Sequence, residues 1–241
     1  MNSLYKGKSR ITYYDLDFHG KVKLSALLRM VHIAADVNAK DLGIGFSVLY
    51  PLDISFILQR FGLSVFRMPK YDENIIIRTW PAATVRGTFI RKGDMTDAKG
   101  NKLMEWASLW ILFNIVERKI LKPSALPVEI PALGDMGVVV EPQKISLPNS
   151  LGTPFSSYIH TVKYAEVDTN IHMNNSIYGD LIGNVLFSGD TYLDWKQVQI
   201  NYQAETRLDE QIEVSAYHLD DTQYVVGQAP GRTSFTAKLM P

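Results

Sequence analysis

The chain has 241 residues, 46% of them hydrophobic, with 25 basic and 25 acidic side chains for a formal net charge of +0. That is enough apolar material for a real core, and the charge balance speaks against a nucleic-acid partner, which calls for a basic surplus. There is no cysteine, so disulfides, thiol catalysis and cysteine-ligated zinc are excluded.

Residues 10–16 are rich in β-formers and read as a strand, followed by the loop Asp17-Phe18-His19-Gly20-Lys21. Leu24, Leu27, Leu28, Val31 and Ala35 then recur at helical spacing, with Gly43 and Gly45 past the end. Ala26, Met30, Ile33 and Ala34 widen the apolar surface beyond one stripe, so this helix is wrapped by something, most simply a curved sheet. Residues 55–66 and 74–80 read as strands, and 84–96 with 102–116 as a hairpin that turns on Asp97-Ala98-Lys99-Gly100-Asn101. The run from Trp106 to Phe113 is apolar on both faces, which places it centrally in a sheet.

Pro123, Pro127, Pro131, Pro142, Pro148 and Pro154 punctuate the next stretch, which has little periodicity. It reads as a connector that packs along the body through Leu126, Ile130 and residues 138–140. Beyond it, residues 158–167 are strand-like, and Tyr178, Leu181, Ile182, Val185 and Leu186 recur at helical spacing. Further strands are expected at 197–204, 211–218, 223–228 and 233–239. No apolar run reaches the roughly 18 residues that cross a bilayer. No basic and then apolar leader follows Met1, so a cytoplasmic protein is the expectation.

The second half repeats the first. Tyr13, Asp17, His19, Lys21 and Ser25 fall on Tyr164, Asp168, Asn170, His172 and Ser176 without gaps. Residues 65–75 fall on 202–212, with Asp72-Glu73 on Asp209-Glu210. Two matches in the same order, at the same place in the same pattern of elements, mark a duplication. The expected units are 1–122 and 157–241, with the connector at 123–156. The halves differ where chemistry would sit: His172 stands where the first half has Lys21, Asn170 where it has His19, and Glu205 where it has Met68. If one unit keeps chemistry and the other keeps shape, the second is the chemical one.

The element Asp168-x-Asn170-x-His172-x-Asn174-Asn175, followed by Tyr202-x-x-Glu205, resembles the acyl-ACP thioesterase family of plant plastids and bacteria. In the first half, Trp110-Ile-Leu-Phe-Asn114, then Arg118-Lys119 and Lys122-Pro123, is similar to that family's long central strand and its basic exit. The resemblance runs in order over essentially the whole chain. It implies an α+β double hotdog, two tandem units that each wrap a long helix in an antiparallel sheet. It also implies hydrolysis of fatty acyl thioesters carried by acyl carrier protein. One departure is informative. Many plant members have a cysteine after the glutamate, where this chain has Thr206. That favours hydrolysis by activated water.

Asp168, Asn170, His172 and Glu205 are the expected catalytic set. Glu205 is the candidate base for water, and His172 either shares that role or polarises the carbonyl and protonates the leaving thiolate. Asn170 would hold the water or the carbonyl. Asp168 would orient its neighbours, although its match to Asp17 fits a plain turn role equally. Backbone N–H groups near Asn174 and Asn175 are expected to meet the carbonyl oxygen at the helix N-terminus, and both asparagines fit as N-caps too. Thr206 is expected to contact substrate. The acyl chain is expected inside the first unit, against Leu27, Met30, Val31 and Ala34 of the helix and Phe56, Leu58, Phe61, Trp106 and Leu109 of the facing strands.

Acyl carrier protein is acidic, so it would dock on a basic surface. Lys6, Lys8 and Arg10; Arg86, Arg91 and Lys92; and Arg118, Lys119 and Lys122 are the candidate clusters. A homodimer stays open. So do a coenzyme A thioester as substrate, a non-catalytic acyl-binding role and a purely structural one. His19, His32, His160, His172 and His218 lack ligand-like spacing, and no glycine-rich phosphate loop is present. Neither a metal nor a nucleotide cofactor is expected.

Overall fold

A computed structural model describes residues 3–187 and 195–241. The first part of the chain supplies β1 (Tyr5–Arg10), α1 (Leu24–Asp41), the one-turn α2 (Phe46–Leu49), β2 (Ile54–Val65), β3 (Asn74–Val85), β4 (Thr88–Asp97), β5 (Lys102–Asn114) and β6 (Lys119–Leu121). The last part supplies β7 (Ser156–Thr161), α3 (Ile177–Leu186), β8 (Gln197–Tyr202), β9 (Gln211–Leu219), β10 (Thr222–Ala229) and β11 (Arg232–Met240). All strands join one sheet in the order β1-β3-β4-β5-β2-β8-β11-β10-β9-β7, with β6 on β5. The two halves meet where β2 pairs antiparallel with β8, from Arg60↔Asn201 to Ser64↔Gln197.

The core forms where α1 and α3 lay their apolar faces on the sheet. Leu27, Leu28 and Val31 of α1 and Leu181, Ile182 and Val185 of α3 are buried with Phe61, Trp106 and Phe235 from the strands. Burying each such side chain contributes roughly 1.5–3 kcal/mol, which dwarfs helix propensity as a reason for these helices to persist. The wrapping of α1 is incomplete, since Ile33 and Val37 face solvent. The two helices touch at their first turns. A Cβ on Gly179 would lie 2.6 Å from the Ser25 nitrogen and 2.7 Å from its Cα, so only glycine fits this crossing. The Ser25 hydroxyl donates to the neighbouring Asp180 carboxylate.

The connector packs along the other face of the sheet, held by polar strand residues that take up its backbone groups. Trp80 Nε1 donates to the Gly134 carbonyl at 2.8 Å, and Lys92 Nζ to the Val138 carbonyl at 3.0 Å. Glu105 accepts from the Val139 and Val140 N–H groups at 3.1 and 3.3 Å. Gln199 accepts from Gln143 N–H at 2.9 Å and Asn201 from Ile145 N–H at 2.8 Å. A segment without periodicity thus satisfies much of its backbone through side chains, with Leu133 and Gly134 N–H adding bonds to the Pro81 and Ala82 carbonyls of β3.

Three expected boundaries shift, each for a local reason. The strands expected at 10–16 and 158–167 stop at Arg10 and Thr161, and the chain turns through 3-10 helices at Tyr13–Asp15 and Tyr164–Glu166. Asp15 accepts from the Thr12 N–H at 2.8 Å and hydroxyl at 2.7 Å, while Glu166 accepts from the Lys163 N–H at 2.8 Å. The strand expected to end at Trp80 runs on to Val85, because Pro81 sits at a register shift and needs no ladder donor there. The turn to β4 is then Arg86-Gly87, with φ of 50° and 83° as a two-residue hairpin of this kind requires.

Gly179→Ala tests the helix crossing. The added methyl meets backbone, which cannot rotate away, so unfolding free energy is expected to fall by about 2–3 kcal/mol in a denaturant titration.

Candidate active site

The duplication is visible in the hydrogen bonds. In the second half Asp168 N–H donates to the His172 carbonyl at 3.0 Å, as Asp17 N–H does to the Lys21 carbonyl at 2.8 Å. Asp168 Oδ1 accepts from Asn170 N–H at 2.8 Å, and Asp17 Oδ1 from His19 N–H at 2.9 Å. Single bridges, Val167↔Met173 and Leu16↔Val22, close both loops. Downstream, Asp209 N–H donates to the Val162 carbonyl and Val162 N–H to the Glu210 carbonyl, matching the bonds among Asp72, Ile11 and Glu73.

The two loops share a backbone shape but not its ease. Gly20 holds a φ of 75° in the first; the aligned Ile171 holds 65° in the second. A β-branched residue in the left-handed region is strained, and Ile171 is 72% exposed, so packing on its side chain does not offset the cost. The loop is strapped down instead by Met173 N–H to the Thr206 carbonyl at 2.7 Å and Asn174 N–H to the Glu166 carbonyl at 2.8 Å. The first strap ties the loop to the segment that carries Glu205.

His172 and Glu205 therefore line the same cleft, about 550 Å³ in volume, together with Asn175, Tyr178 and Tyr202 of the second unit and Leu58, Phe113 and Arg118 of the first. Arg118 Nη2 donates to the Glu205 carboxylate at 2.8 Å, and Arg207 lies 3.6 Å from the same oxygen. Burial pushes the Glu205 carboxyl up, but the hydrogen bond and charge of Arg118, then His172 and Arg207, outweigh it and hold the group below its ordinary range. Burial pushes both Tyr178 and Tyr202 up, so neither phenol serves as a base near neutrality. His172 Nδ1 is 3.9 Å from Asp168 Oδ1, beyond hydrogen-bond reach.

Asn170 faces elsewhere. It lines a separate, mostly apolar cavity of about 220 Å³ in the first unit, and its side-chain oxygen accepts from the Ser55 hydroxyl at 3.3 Å. Ile54, Ser55 and Phe56 line this cavity while Ile57, Leu58 and Gln59 line the cleft, so consecutive stretches of β2 serve both. The loop between Asp168 and His172 thus joins a polar cleft to an apolar cavity. A carboxylate, an imidazole and a carboxamide placed this way can activate water beside a bound apolar chain.

Several expected positions need correction. Leu27, Met30, Val31 and Ala34 are packed in the core, as is the fully buried Trp106; none lines the apolar cavity. The cavity uses a different face of α1, with His32, Ala35, Asp36 and Ala39, and of the expected strand residues only Phe56 reaches it. Thr206 is fully buried, with its hydroxyl 2.6 Å from Ser234 Oγ and 3.3 Å from the Tyr178 hydroxyl, and does not line the cleft. Asn174 acts at the entry to α3: its side-chain oxygen accepts from Ser176 N–H at 2.9 Å and Ser176 Oγ at 2.8 Å. Its own N–H is committed to Glu166, which leaves the Asn175 N–H as the donor nearer the cleft. Arg118, expected among the docking residues, reaches Glu205 across 87 positions of sequence, a contact that no local pattern reveals.

Ile171→Gly is expected to raise unfolding free energy by about 1 kcal/mol, since the relief of left-handed strain exceeds the entropy added to the unfolded chain. A shift of the urea midpoint to higher concentration at constant slope checks it.

The chain was compared with known proteins. The family model for the acyl-ACP thioesterase N-terminal domain matches residues 2–130, and that for the C-terminal domain matches residues 153–231. A curated relative, the chloroplastic acyl-[acyl-carrier-protein] hydrolase FATB2 of Cuphea viscosissima, is 26% identical over 136 residues, 54% of this chain. The match spans 33% of that relative's length. Among solved structures, an acyl-ACP thioesterase from Bacteroides thetaiotaomicron superposes with a TM-score of 0.80 at 21% identity, covering 99% of this chain and 98% of that one. The 12:0-ACP thioesterase of Umbellularia californica gives 0.80 at 17% identity, covering 100% and 97%. These likenesses establish the α+β double hotdog fold. With both domain models matched in order along the sequence, the chain belongs to the acyl-ACP thioesterase family.

Proposed function

We propose that this chain hydrolyses fatty acyl thioesters of acyl carrier protein, releasing free fatty acid and the carrier thiol. The observation that carries this reading is the shared cleft of Glu205 and His172, reached by a loop whose Asn170 lines an apolar cavity. The acyl chain lies in that cavity with its carbonyl near the loop. Glu205 is anionic at neutral pH and takes a proton from water as the oxygen attacks the carbonyl carbon. The Asn175 N–H and the start of α3 stabilise the oxyanion, and Asn170 orients the carbonyl. When the C–S bond breaks, His172 carries the proton from Glu205 to the leaving sulfur. Asp168 shapes the turn that holds Asn170 and His172 and takes no proton.

The carrier docks on the exposed Lys119 and Lys122, beside Arg118 at the cleft. The cluster of Arg86, Arg91 and Lys92 does not serve, because Lys92 is buried under the connector and Arg91 lines the apolar cavity. Every group in this scheme comes from one chain, so it calls for no second copy. No helix among the described residues is long and apolar enough to cross a membrane, and we place the activity in the cytoplasm.

Glu205→Ala and His172→Ala are expected to lose about 10²-fold or more in kcat on acyl-carrier-protein thioesters while staying folded. Losses below about tenfold in both would remove these residues from the chemistry. Matched coenzyme A thioesters, run alongside, are expected to be poorer substrates in kcat/KM.

Arg118→Met tests the electrostatics. Its loss removes the hydrogen bond that lowers the Glu205 pKa, so the carboxylate protonates at higher pH. The acidic limb of the kcat/KM profile is expected to move to higher pH. The stability that the depressed carboxyl adds at neutral pH, and loses as pH falls through its folded value, is expected to shrink.

A further inference from the structure

The cavity assigned to the acyl chain is not apolar throughout. Along β4, Lys92 points to the connector and pairs with Asp135 and Glu141 at 2.7 Å each. Its neighbour Arg91 points the other way and lines the cavity. Arg91 Nη1 donates to Asn38 Oδ1 at 2.8 Å and approaches Thr79 Oγ1 at 3.4 Å. Both partners are neutral. Arg10, Arg29, Arg67, Arg78, Arg118 and Arg232 each pair with a carboxylate. Arg91 pairs with none among the described residues. Asp36 also lines the cavity but is exposed.

Arg91 is half-buried, and its guanidinium lines the cavity without a counter-charge beside it, which is costly where water is displaced. Burial lowers the Arg91 guanidinium to about 10, which leaves it charged at neutral pH. Across the cavity, His32 Nε2 is buried without a partner, and burial lowers that imidazole to about 4, so it is neutral. The apolar wall therefore holds a guanidinium with no carboxylate partner among the described residues and a buried imidazole nitrogen with no hydrogen bond.

Their position in the sheet sets what they meet. Ser55, which holds Asn170, pairs with Phe113 on β5; Arg91 pairs with Ser108 on the same strand. The backbone at Arg91 is thus about 16 Å further along the strand direction and about 10 Å across, two strands over. Arg91 stands at the end of the cavity away from Asn170 and from the thioester carbonyl.

We propose that Arg91 forms a polar subsite for the distal part of the acyl chain, so that the preferred substrate carries an oxygen acceptor there, a hydroxyl or a carboxylate, in place of a plain alkyl tail. The proposal rests on the reading of this cavity as the acyl site. The guanidinium N–H groups not directed at Asn38 and Thr79 donate to that oxygen, which supplies the partner that the protein omits. A plain tail leaves those donors unpaired, and this difference is the source of the discrimination.

The test measures kcat/KM on three carrier-protein thioesters of equal chain length: unmodified, ω-hydroxy and ω-carboxy. Wild type is expected to favour one of the oxygenated chains by about tenfold or more. Arg91→Met is expected to cut that preference below about twofold, or Arg91→Gln where the methionine variant does not fold. A wild-type preference for the unmodified chain, or an oxygenated preference that survives in the variant, overturns the subsite. The ratio between the oxygenated chains tells a hydroxyl-selective from a carboxylate-selective site. If no thioester turns over, the hydrolase reading fails, and the subsite is judged by calorimetric binding of the methyl ester of an ω-hydroxy fatty acid against the plain methyl ester. Equal affinities for wild type then overturn it.

Discussion

The antiparallel pairing of β2 with β8 is the constraint on which the rest depends. It turns two hotdog units into one continuous sheet and fixes which surfaces of the first unit the second can reach. Because β2 runs past the end of β8, its first residues are free to line cavities: Ser55 meets Asn170, and Leu58 faces the cleft of His172 and Glu205. A bulge between Leu58 and Arg60 lies between that stretch and the paired one. At the same end of that interface Arg118, in the turn that follows β5, reaches the Glu205 carboxylate. Neither unit alone contains the pairing of Glu205 and Arg118, so the cleft is a property of the junction.

Duplication explains both what the units share and how they diverged. The backbone bonds of Asp17 recur at Asp168, and those of Glu73 recur at Glu210, so these acidic residues are first of all turn formers. Chemistry enters through side chains that the backbone scheme leaves unconstrained. Met68 packs against the core in one unit while the aligned Glu205 faces the cleft in the other. Lys21 gives way to His172, and Gly20 to the strained Ile171. A relaxed glycine would make the second loop easier to form and also freer to move. Holding Ile171 in the left-handed region narrows the loop to one shape, between straps at Met173 and Asn174.

Sequence pattern revealed the elements and the loop but not the direction in which individual side chains point. The helical spacing from Leu24 onward, the turn around Gly100 and the repeat all correspond to observed structure, because each follows from backbone geometry and local hydrogen bonding. The cavity lining did not follow. α1 is apolar on more than one face, so periodicity cannot separate Leu27 and Val31, which fill the core, from Ala35 and Ala39, which line the cavity. The basic cluster at Arg91 and Lys92 failed for a related reason: neighbours on a strand point to opposite faces, and here both faces are covered. Thr206 stands next to Glu205 in sequence and is directed into a buried hydroxyl cluster with Ser234.

If Glu205 is the base of the proposed reaction, its pairing with Arg118 trades base strength for availability. A carboxylate held below its ordinary pKa is a weaker proton acceptor, yet it stays ionised and fixed in a cleft whose burial would otherwise neutralise it. In the proposed reaction weak basicity is tolerable because other groups share the barrier: a backbone N–H at the start of α3 for the oxyanion, and an imidazole for the leaving group. Arg91 shows the opposite arrangement in the same molecule. There the cation has no carboxylate partner among the described residues and lines the cavity two strands away from Ser55, which holds Asn170. One arginine is paired within the protein and keeps Glu205 ionised; the other has no carboxylate partner, and in the proposed reading part of the bound chain completes it. On the proposed reading, the contrast separates an end of the site suited to reaction from an end suited to selection.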